Sequence, residues 1–153
     1  MTITTKTGDL GSTLIKDHRL LKSDPLIQAL GDLDECSSLI IYMQAHLKLD
    51  KTTWELIVHE LYQISSLITG YLKDLNLREP ISRLEVAIQG KQFLTQKFIF
   101  PFDDERAAHL HYVRAVIRRA ERSCVALNQT HTLQADILVY LNRLSDFVFS
   151  QEL

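Results

Sequence analysis

Four arginines and a glutamate cluster in one predicted helix: Arg114, Arg118, Arg119, Glu121 and Arg122. At about 100° per residue, Arg114, Arg118 and Glu121 fall within roughly 60° of one another, whereas Arg119 points elsewhere. Guanidinium groups bind phosphate well because each donates two hydrogen bonds from a planar fork. The spacing fits a phosphate-binding face, and it equally fits a solvated face with ion pairs that stabilise the helix.

A second polar group interrupts an apolar run near the end of the chain: Asn142, Arg143, Ser145 and Asp146. Asn142 and Asp146 stand four residues apart and therefore share a helix face. Two interpretations stay open. These residues are boundary positions between core and solvent, or Asn142 is placed to bind a ligand.

The N-terminal segment Thr7–Thr13 contains two glycines close together, Gly8 and Gly11. Glycines permit unusual backbone angles, so successive N–H groups can converge on an anion. The spacing G-x-x-x-x-G-K-[ST] of a P-loop is absent. The segment is either a phosphate cradle of another kind or an ordinary turn. Positive charge nearby comes from Lys6, Lys16, Arg19 and Lys22.

The histidines do not form a recognisable metal motif. They stand at positions 18, 46, 59, 109, 111 and 131. His109 and His111 are two apart on a helix and cannot share a face. No H-E-x-x-H pattern occurs. The sequence favours surface or boundary histidines and leaves any metal ligand unknown.

Composition excludes several classes of protein. The chain has 153 residues, of which 46% are hydrophobic and 24% charged, and its net charge is −2. These values exclude a disordered or collagen-like chain, and they argue against a nucleic-acid partner bound through a broad basic surface. Cys36 and Cys124 are too far apart for a C-x-x-C motif, and two cysteines fit a reduced compartment. No apolar stretch is long enough to span a membrane, so we expect a cytoplasmic protein without a membrane partner.

The scarcity of glycine and proline predicts a few long helices. There are five glycines and three prolines, and both residue types normally interrupt regular elements. Apolar residues at helical spacing predict an all-α fold, with no strand of useful length, after an N-terminal loop and an irregular basic segment through Lys22. Short connections favour one five-helix bundle. The predicted helices cover residues 25–47, 51–74, 81–96, 104–128 and 132–151.

Six segments in this order resemble one family, the PduO-type ATP:cob(I)alamin adenosyltransferases. The segments are TKTGDLGST at 5–13, K-x-D-P at 22–25, GDLDE at 31–35, KFIFP at 97–101, H-x-x-R-x-x-x-RRAER at 111–122 and LNRLSD at 141–146. The resemblance covers nearly the whole chain. It shifts the arginine face and Asn142 from structural to functional interpretations.

The resemblance implies a ferritin-like, cobalamin adenosyltransferase-like five-helix bundle that forms a homotrimer with active sites between subunits. The domain would span 1–153, with an ATP-binding N-terminal loop at 1–24 and the bundle at 25–153. The implied reaction moves the 5′-deoxyadenosyl group of ATP to cob(I)alamin and yields adenosylcobalamin and triphosphate, with Mg²⁺. A reductase and an acceptor enzyme that uses adenosylcobalamin are the further partners it suggests.

Matching motif positions imply roles for individual residues. Arg118, Glu121 and Asn142 would complete the nucleotide site from the neighbouring subunit, with Arg118 and Asn142 acting in catalysis. Phe98 would also be catalytic, lying beneath the cobalt and excluding an axial ligand. Asp34 would pair with Arg114 across the interface beside the cobalamin pocket. The ATP phosphates would be held by Thr5, Lys6, Thr7, Gly8, Gly11, Ser12, Thr13 and Lys22.

The sequence departs from the family pattern at two places. Many members carry Gly-Gly-x-Arg where this chain has residues 15–19, and Leu-Pro-Gly-Gly where it has Phe100-Pro101-Phe102-Asp103. The second change restricts the backbone beside the implied corrin pocket and adds a negative charge. It motivates one alternative, a divergent paralogue that holds ATP or delivers cobalamin without transferring the adenosyl group. The other alternative is a purely structural helical bundle.

Overall fold

The fold begins where Asp24 and Pro25 start the first long helix. In this computed structural model, which describes residues 3–91 and 100–152, the Asp24 side chain accepts a hydrogen bond from the Leu26 N–H. Proline at the first helical position costs nothing because its missing N–H would have no partner within the helix. The described helices are α1 (Pro25–Leu47), α2 (Lys51–Ile68), α3 (Arg78–Gln89), α4 (Glu105–Leu127) and α5 (Ala135–Glu152).

These helices confirm the predicted all-α bundle. α4 packs against both α1 and α5, α1 packs against α2, and α3 packs against α5. One continuous core lies between them, and each fully buried Leu or Ile in it contributes about 1.5–3 kcal/mol. Its fully buried aliphatic residues include Leu33, Ile40, Ile57, Leu61, Leu110, Ile117, Leu141 and Leu144. None of the described helices is long and apolar enough to cross a membrane.

The helical bundle is preceded by two short strands that the sequence does not indicate. β1 (Ser12–Ile15) and β2 (His18–Leu21) pair antiparallel with Ser12 opposite Leu21. The segment that the sequence indicates as irregular is a hairpin whose turn holds Lys16 at φ 50°. Strands of four residues are too short for alternation to separate them from a loop.

Several helix boundaries also differ from the prediction, among them the start of α5, which is Ala135 rather than residue 132. α2 ends at Ile68 rather than 74, because Gly70 takes a positive φ of 73° that stops the helix. α3 begins at Arg78 and not after Pro80, since a proline is tolerated within the first turn. α3 ends at Gln89, and the predicted continuation from 92 to 96 lies outside the described residues.

One buried polar cluster ties α2, α3 and α5 together. The Glu60 carboxylate accepts hydrogen bonds from Arg83 at 2.6 and 2.8 Å and from the Tyr140 hydroxyl at 2.7 Å. Burial, followed by the charge of Glu60, raises the pKa of Tyr140 well above its ordinary value. The hydroxyl therefore stays protonated and acts as a donor. This cluster compensates the cost of burying the carboxylate.

Candidate functional site

The outward side of α4 presents Arg118 and Glu121 beside Asn142 of α5. The Asn142 Nδ2 donates a hydrogen bond of 3.3 Å to the Glu121 carboxylate. Arg118 is exposed and makes no hydrogen bond or ion pair with any residue that the structure describes. We name this group the α4–α5 face: Arg118, Glu121 and Asn142. Among the described residues, it offers an unpaired guanidinium next to a carboxylate and an amide that are hydrogen-bonded to each other.

Arg143 fixes the amide orientation of Asn142. Its Nη1 donates to the Asn142 Oδ1 at 3.1 Å, and its Nε donates to Glu85 at 2.8 Å. The Glu85 hydrogen bond raises the pKa of Arg143. Because Arg143 occupies the oxygen of Asn142, the amide nitrogen is directed to Glu121. Asp146, the predicted face-mate of Asn142, is exposed and lies 3.6 Å from Arg143 instead.

Arg119 points to a different side of α4, toward α1, as the helical spacing predicts. It forms an ion pair with Glu35, and its Nε lies 3.5 Å from the buried Asp32 carboxylate. The Glu35 hydrogen bond raises the pKa of Arg119. Asp32 also accepts hydrogen bonds from Gln28, at 3.1 and 3.2 Å, and from Ser123. We name this group the α1–α4 seam: Gln28, Asp32, Glu35, Arg119 and Ser123.

Arg114 has a partner within the same chain. Its Nε donates to Glu152 at 3.0 Å, and that carboxylate also lies 3.1 Å from the His111 Nδ1. The Glu152 side chain is 1% exposed, whereas Asp34 is exposed. Sequence reasoning missed Glu152 because it lies 38 residues from Arg114. The pairing of Asp34 with Arg114 between subunits stays a prediction.

The N-terminal loop folds around the side chain of Arg19. That guanidinium donates hydrogen bonds of 3.0 Å to the Thr7 carbonyl and the Ser12 hydroxyl. The hydroxyl groups of Thr5 and Thr7 are hydrogen-bonded to each other at 2.9 Å. The sequence predicts Arg19 only as additional positive charge, and the structure gives it a definite place in closing this loop.

Lys22 lies directly beside the loop backbone. Its main-chain N–H donates to the Gly11 carbonyl at 2.8 Å, and its Nζ lies 3.3 Å from where a Cβ on Gly8 would stand. Any side chain at position 8 would displace this ammonium. Gly11 has a φ of 77°, which glycine adopts without strain. Gly8 and Gly11 therefore both lie next to Lys22, and the phosphate-cradle interpretation stays a prediction.

The remaining loop residues lie at the edges of this cradle. Lys6 is exposed with a φ of 60°, and Thr13 is half-buried on β1. Lys16, in the hairpin turn, attaches the loop to the end of α2. Its main-chain N–H donates to the Tyr71 hydroxyl at 3.2 Å, and its ammonium bonds the Gly70 carbonyl.

The connector before α4 is described only from Phe100. Phe98 lies outside the described residues, so its role stays a prediction. Phe100 and Phe102 are 69% and 91% exposed, and their rings stack at 6.3 Å. Both rings are therefore accessible to a partner molecule.

The two cysteines are not candidate nucleophiles. Burial raises the pKa of the Cys36 and Cys124 thiols to about 12 each. Thiols with such values remain protonated at neutral pH and are poor nucleophiles.

The chain is also similar to proteins that are already known. The family model for cobalamin adenosyltransferase matches residues 3–152. A corrinoid adenosyltransferase of Bacillus subtilis is 35% identical, over 98% of this chain and 84% of that protein. The corrinoid adenosyltransferase PduO of Salmonella typhimurium is 32% identical over 98% of this chain, which spans 48% of that longer protein.

A solved structure adds similarity in three dimensions. It is a Phe-to-His variant of a PduO-type ATP:corrinoid adenosyltransferase from Lactobacillus reuteri, complexed with cobalamin and ATP. It superposes with a TM-score of 0.90 at 29% identity, over 99% of this chain and 89% of that chain. From the sequence match and the shared fold together, the chain belongs to the cobalamin adenosyltransferase family of PduO type.

Proposed function

We propose that this protein transfers the 5′-deoxyadenosyl group of ATP to cob(I)alamin and releases adenosylcobalamin and triphosphate. The observation that carries the proposal is the family match over residues 3–152. The ligands of the similar solved structure, cobalamin and ATP, are the two substrates of this reaction.

The reaction needs little acid–base chemistry from the protein. The electron pair on Co(I) forms a bond to C5′ of ATP, and the C5′–O bond breaks with its electrons going to triphosphate. Because the corrinoid is itself the nucleophile, no side chain must remove a proton. The protein accelerates such a step by aligning the reacting atoms and stabilising the negative charge of the leaving group.

The N-terminal loop is the proposed phosphate site, within one domain whose bundle follows from residue 25. Its candidate phosphate ligands are Thr5, Lys6, Thr7, Gly8, Gly11, Ser12, Thr13 and Lys22. The ammonium of Lys22 beside Gly8 supports this assignment. The loop hydroxyls also fit Mg²⁺, an oxygen-seeking ion that phosphate oxygens chiefly hold when nucleotide is bound.

We assign the α4–α5 face to the same nucleotide site, contributed by a neighbouring subunit of a homotrimer. Among the described residues, no hydrogen bond or ion pair joins the loop to Arg118, Glu121 or Asn142 within one chain. A free guanidinium is suited to a triphosphate supplied by another surface. The loop and the α4–α5 face thus form two separate half-sites, as a site shared between subunits requires.

The corrin side of the proposal involves Phe98, Asp34 and Arg114. Phe98 would exclude water and an axial ligand from cobalt, and a four-coordinate cobalt is easier to reduce. The exposed rings of Phe100 and Phe102 support an aromatic surface here. A reductase that supplies Co(I), and an acceptor enzyme for the product, are the implied partners. The free cysteines support a cytoplasmic location.

An anaerobic assay with reduced cobalamin and ATP tests the activity. We expect loss of the cob(I)alamin absorbance with formation of adenosylcobalamin, one per ATP consumed. Binding of ATP, measured separately by calorimetry, distinguishes the alternatives. Retained ATP binding without turnover would contradict the enzyme and favour a binding or delivery protein.

Complementation tests the shared site. Lys22→Ala damages the loop and Arg118→Ala damages the α4–α5 face, so each homotrimer should be inactive. Co-expressed in equal amounts, the two variants should form mixed trimers in which about a quarter of the sites combine two intact halves. Activity near that level supports a site between subunits. Mixtures as inactive as either variant alone would show that both halves belong to one chain.

A further inference from the structure

Three side chains with metal-binding atoms meet where the last turn of α1 approaches the first turns of α4. A ring nitrogen of His46, a carboxylate oxygen of Glu105 and a ring nitrogen of His109 all lie within 4.8 Å of one another. The His46 Nε2 is 3.0 Å from the Glu105 Oε1. His46 and Glu105 are 59 residues apart, so this cluster exists only in the folded chain.

The hydrogen bonding of His109 leaves one nitrogen suited to a metal. Its Nδ1 lies 2.7 Å from the main-chain oxygen of Glu105. A carbonyl oxygen only accepts, so Nδ1 carries the proton and Nε2 keeps its lone pair. Histidines that bind metals commonly donate their other ring N–H to a carbonyl or carboxylate in this manner.

Aromatic packing orients the other imidazole. The Tyr42 ring stacks on the His46 ring at 5.9 Å with an angle of 3° between planes. The Tyr42 ring also lies 6.4 Å from the His109 ring, and the two imidazoles are 5.3 Å apart. Rings held by neighbours lose less conformational entropy when they bind an ion.

We infer that His46, Glu105 and His109 bind a divalent transition-metal ion, with Zn²⁺ the best fit. Two imidazoles and one carboxylate form a ligand set of zinc sites that keep an open position. The 3.0 Å between His46 and Glu105 is close to the roughly 3.3 Å between two ligands of tetrahedral zinc. Two nitrogen ligands disfavour Mg²⁺ and Ca²⁺, which prefer oxygen.

This site is separate from the proposed nucleotide site and goes beyond the proposed function. His109 and Arg118 are nine residues apart on one helix, or about 14 Å along its axis. The charge on Glu105 also offsets the positive end of the α4 dipole, which by itself would repel a cation. His46 and Glu105 are exposed, so solvent can supply the remaining ligand.

Cobalt(II) is the probe, because its tetrahedral complexes absorb visible light and Zn²⁺ does not. Titration of the full, metal-free chain without nucleotide should show one Co²⁺ per chain, displaced by Zn²⁺. His46→Ala, His109→Ala and Glu105→Gln should each lower the affinity at least about 10-fold. His131→Ala is the matched control, since His131 lies beyond the opposite end of α4, and it should bind like the unmodified chain.

Two results would overturn the inference. One is the absence of saturable Co²⁺ binding by the unmodified chain. The other is equal binding by the control and the three cluster variants, which would make the His46–Glu105 contact an ordinary ion pair. Circular dichroism of each variant confirms that it is folded, and adenosyltransferase activity is not part of the readout.

Discussion

Two sides of α4 use arginine in opposite ways. On the α1–α4 seam, Arg119 is joined to Glu35 and lies beside the buried Asp32. On the α4–α5 face, its neighbour Arg118 is exposed and has no charged partner among the described residues. One position along the helix, a rotation of about 100°, separates these environments.

The difference indicates where the molecule keeps charge for a ligand. An arginine that is engaged in ion pairs within the chain contributes to folding and has less to offer a phosphate. An arginine without such partners contributes little to folding and remains available. Under the proposed assignment, such a ligand would lie at Arg118, next to the hydrogen-bonded pair of Glu121 and Asn142.

Arg118→Ala should produce the largest effect. We expect transfer to fall about 10³-fold, because a positive charge that would stabilise the leaving triphosphate is lost. The free energy of unfolding should change by less than about 0.5 kcal/mol, since no described contact is removed. Anaerobic kinetics and urea unfolding measure the two quantities.

Arg78→Ala is the matched control for that experiment. Arg78 is also an exposed arginine on a helix, at the start of α3. It should leave both activity and stability unchanged. Near-normal transfer by Arg118→Ala, or an equal loss in the control, would refute the assigned role of Arg118.

Asn142→Ala should have the next largest effect, a loss of about 10²-fold in transfer, because an oriented hydrogen-bonding group is removed. Ser145→Ala, one turn along α5, is its control. In the part of the chain that the structure describes, the Ser145 hydroxyl donates to the Asn142 carbonyl, at 2.9 Å. If both variants lose the same activity, the effect arises from distortion of α5 and not from the amide.

Arg119→Met should show the reverse pattern, a loss of stability with little loss of activity. Methionine keeps an apolar stem but removes the positive charge that lies beside Glu35 and Asp32. We therefore expect the free energy of unfolding to fall by about 1–2 kcal/mol. Transfer per folded molecule should stay within a few-fold of the unmodified chain. Guanidinium unfolding gives the first quantity, and active-site titration gives the second. A large loss of turnover at unchanged stability would abolish the distinction between the two sides of α4.

Much of the fold is predictable because helix signals are local. Asp24-Pro25 starts α1 at the expected residue, and apolar periodicity locates the five helices. The misses have local physical causes as well. The hairpin strands are four residues each, Gly70 ends α2 before its apolar pattern ends, and Pro80 fits inside the first turn of α3.

The candidate site is less predictable because its contacts are distant in sequence. Spacing alone separates Arg118 from Arg119, and the resemblance supplies the functional interpretation of Arg118. Neither reveals the link between Arg114 and Glu152 or the meeting of His46 with Glu105. Such pairs depend on how α1, α4 and α5 pack, which no pattern within one helix contains.

A substitution of Asp50, whose charge has hydrogen-bonding partners, should give the smallest of the predicted effects. Its carboxylate accepts hydrogen bonds from the Thr53 hydroxyl and from the Thr53 and Thr52 N–H groups, which lower its pKa below the ordinary value of 3.8. Because the pKa of Asp50 is lower in the folded state, the contribution of its charge to stability is complete above the pKa of the unfolded chain. It is lost as pH falls through the folded-state pKa.

Asp50→Asn keeps a capping side chain but removes the titration. Urea unfolding should therefore show equal stability near pH 7 and a weaker dependence on pH below about 4 for the variant. Asp17→Asn is the control, because the exposed Asp17 side chain has no described hydrogen bond, and it should keep the original pH dependence. If Asp50→Asn shows the same acid dependence as the unmodified chain, the cap does not couple the charge of Asp50 to folding.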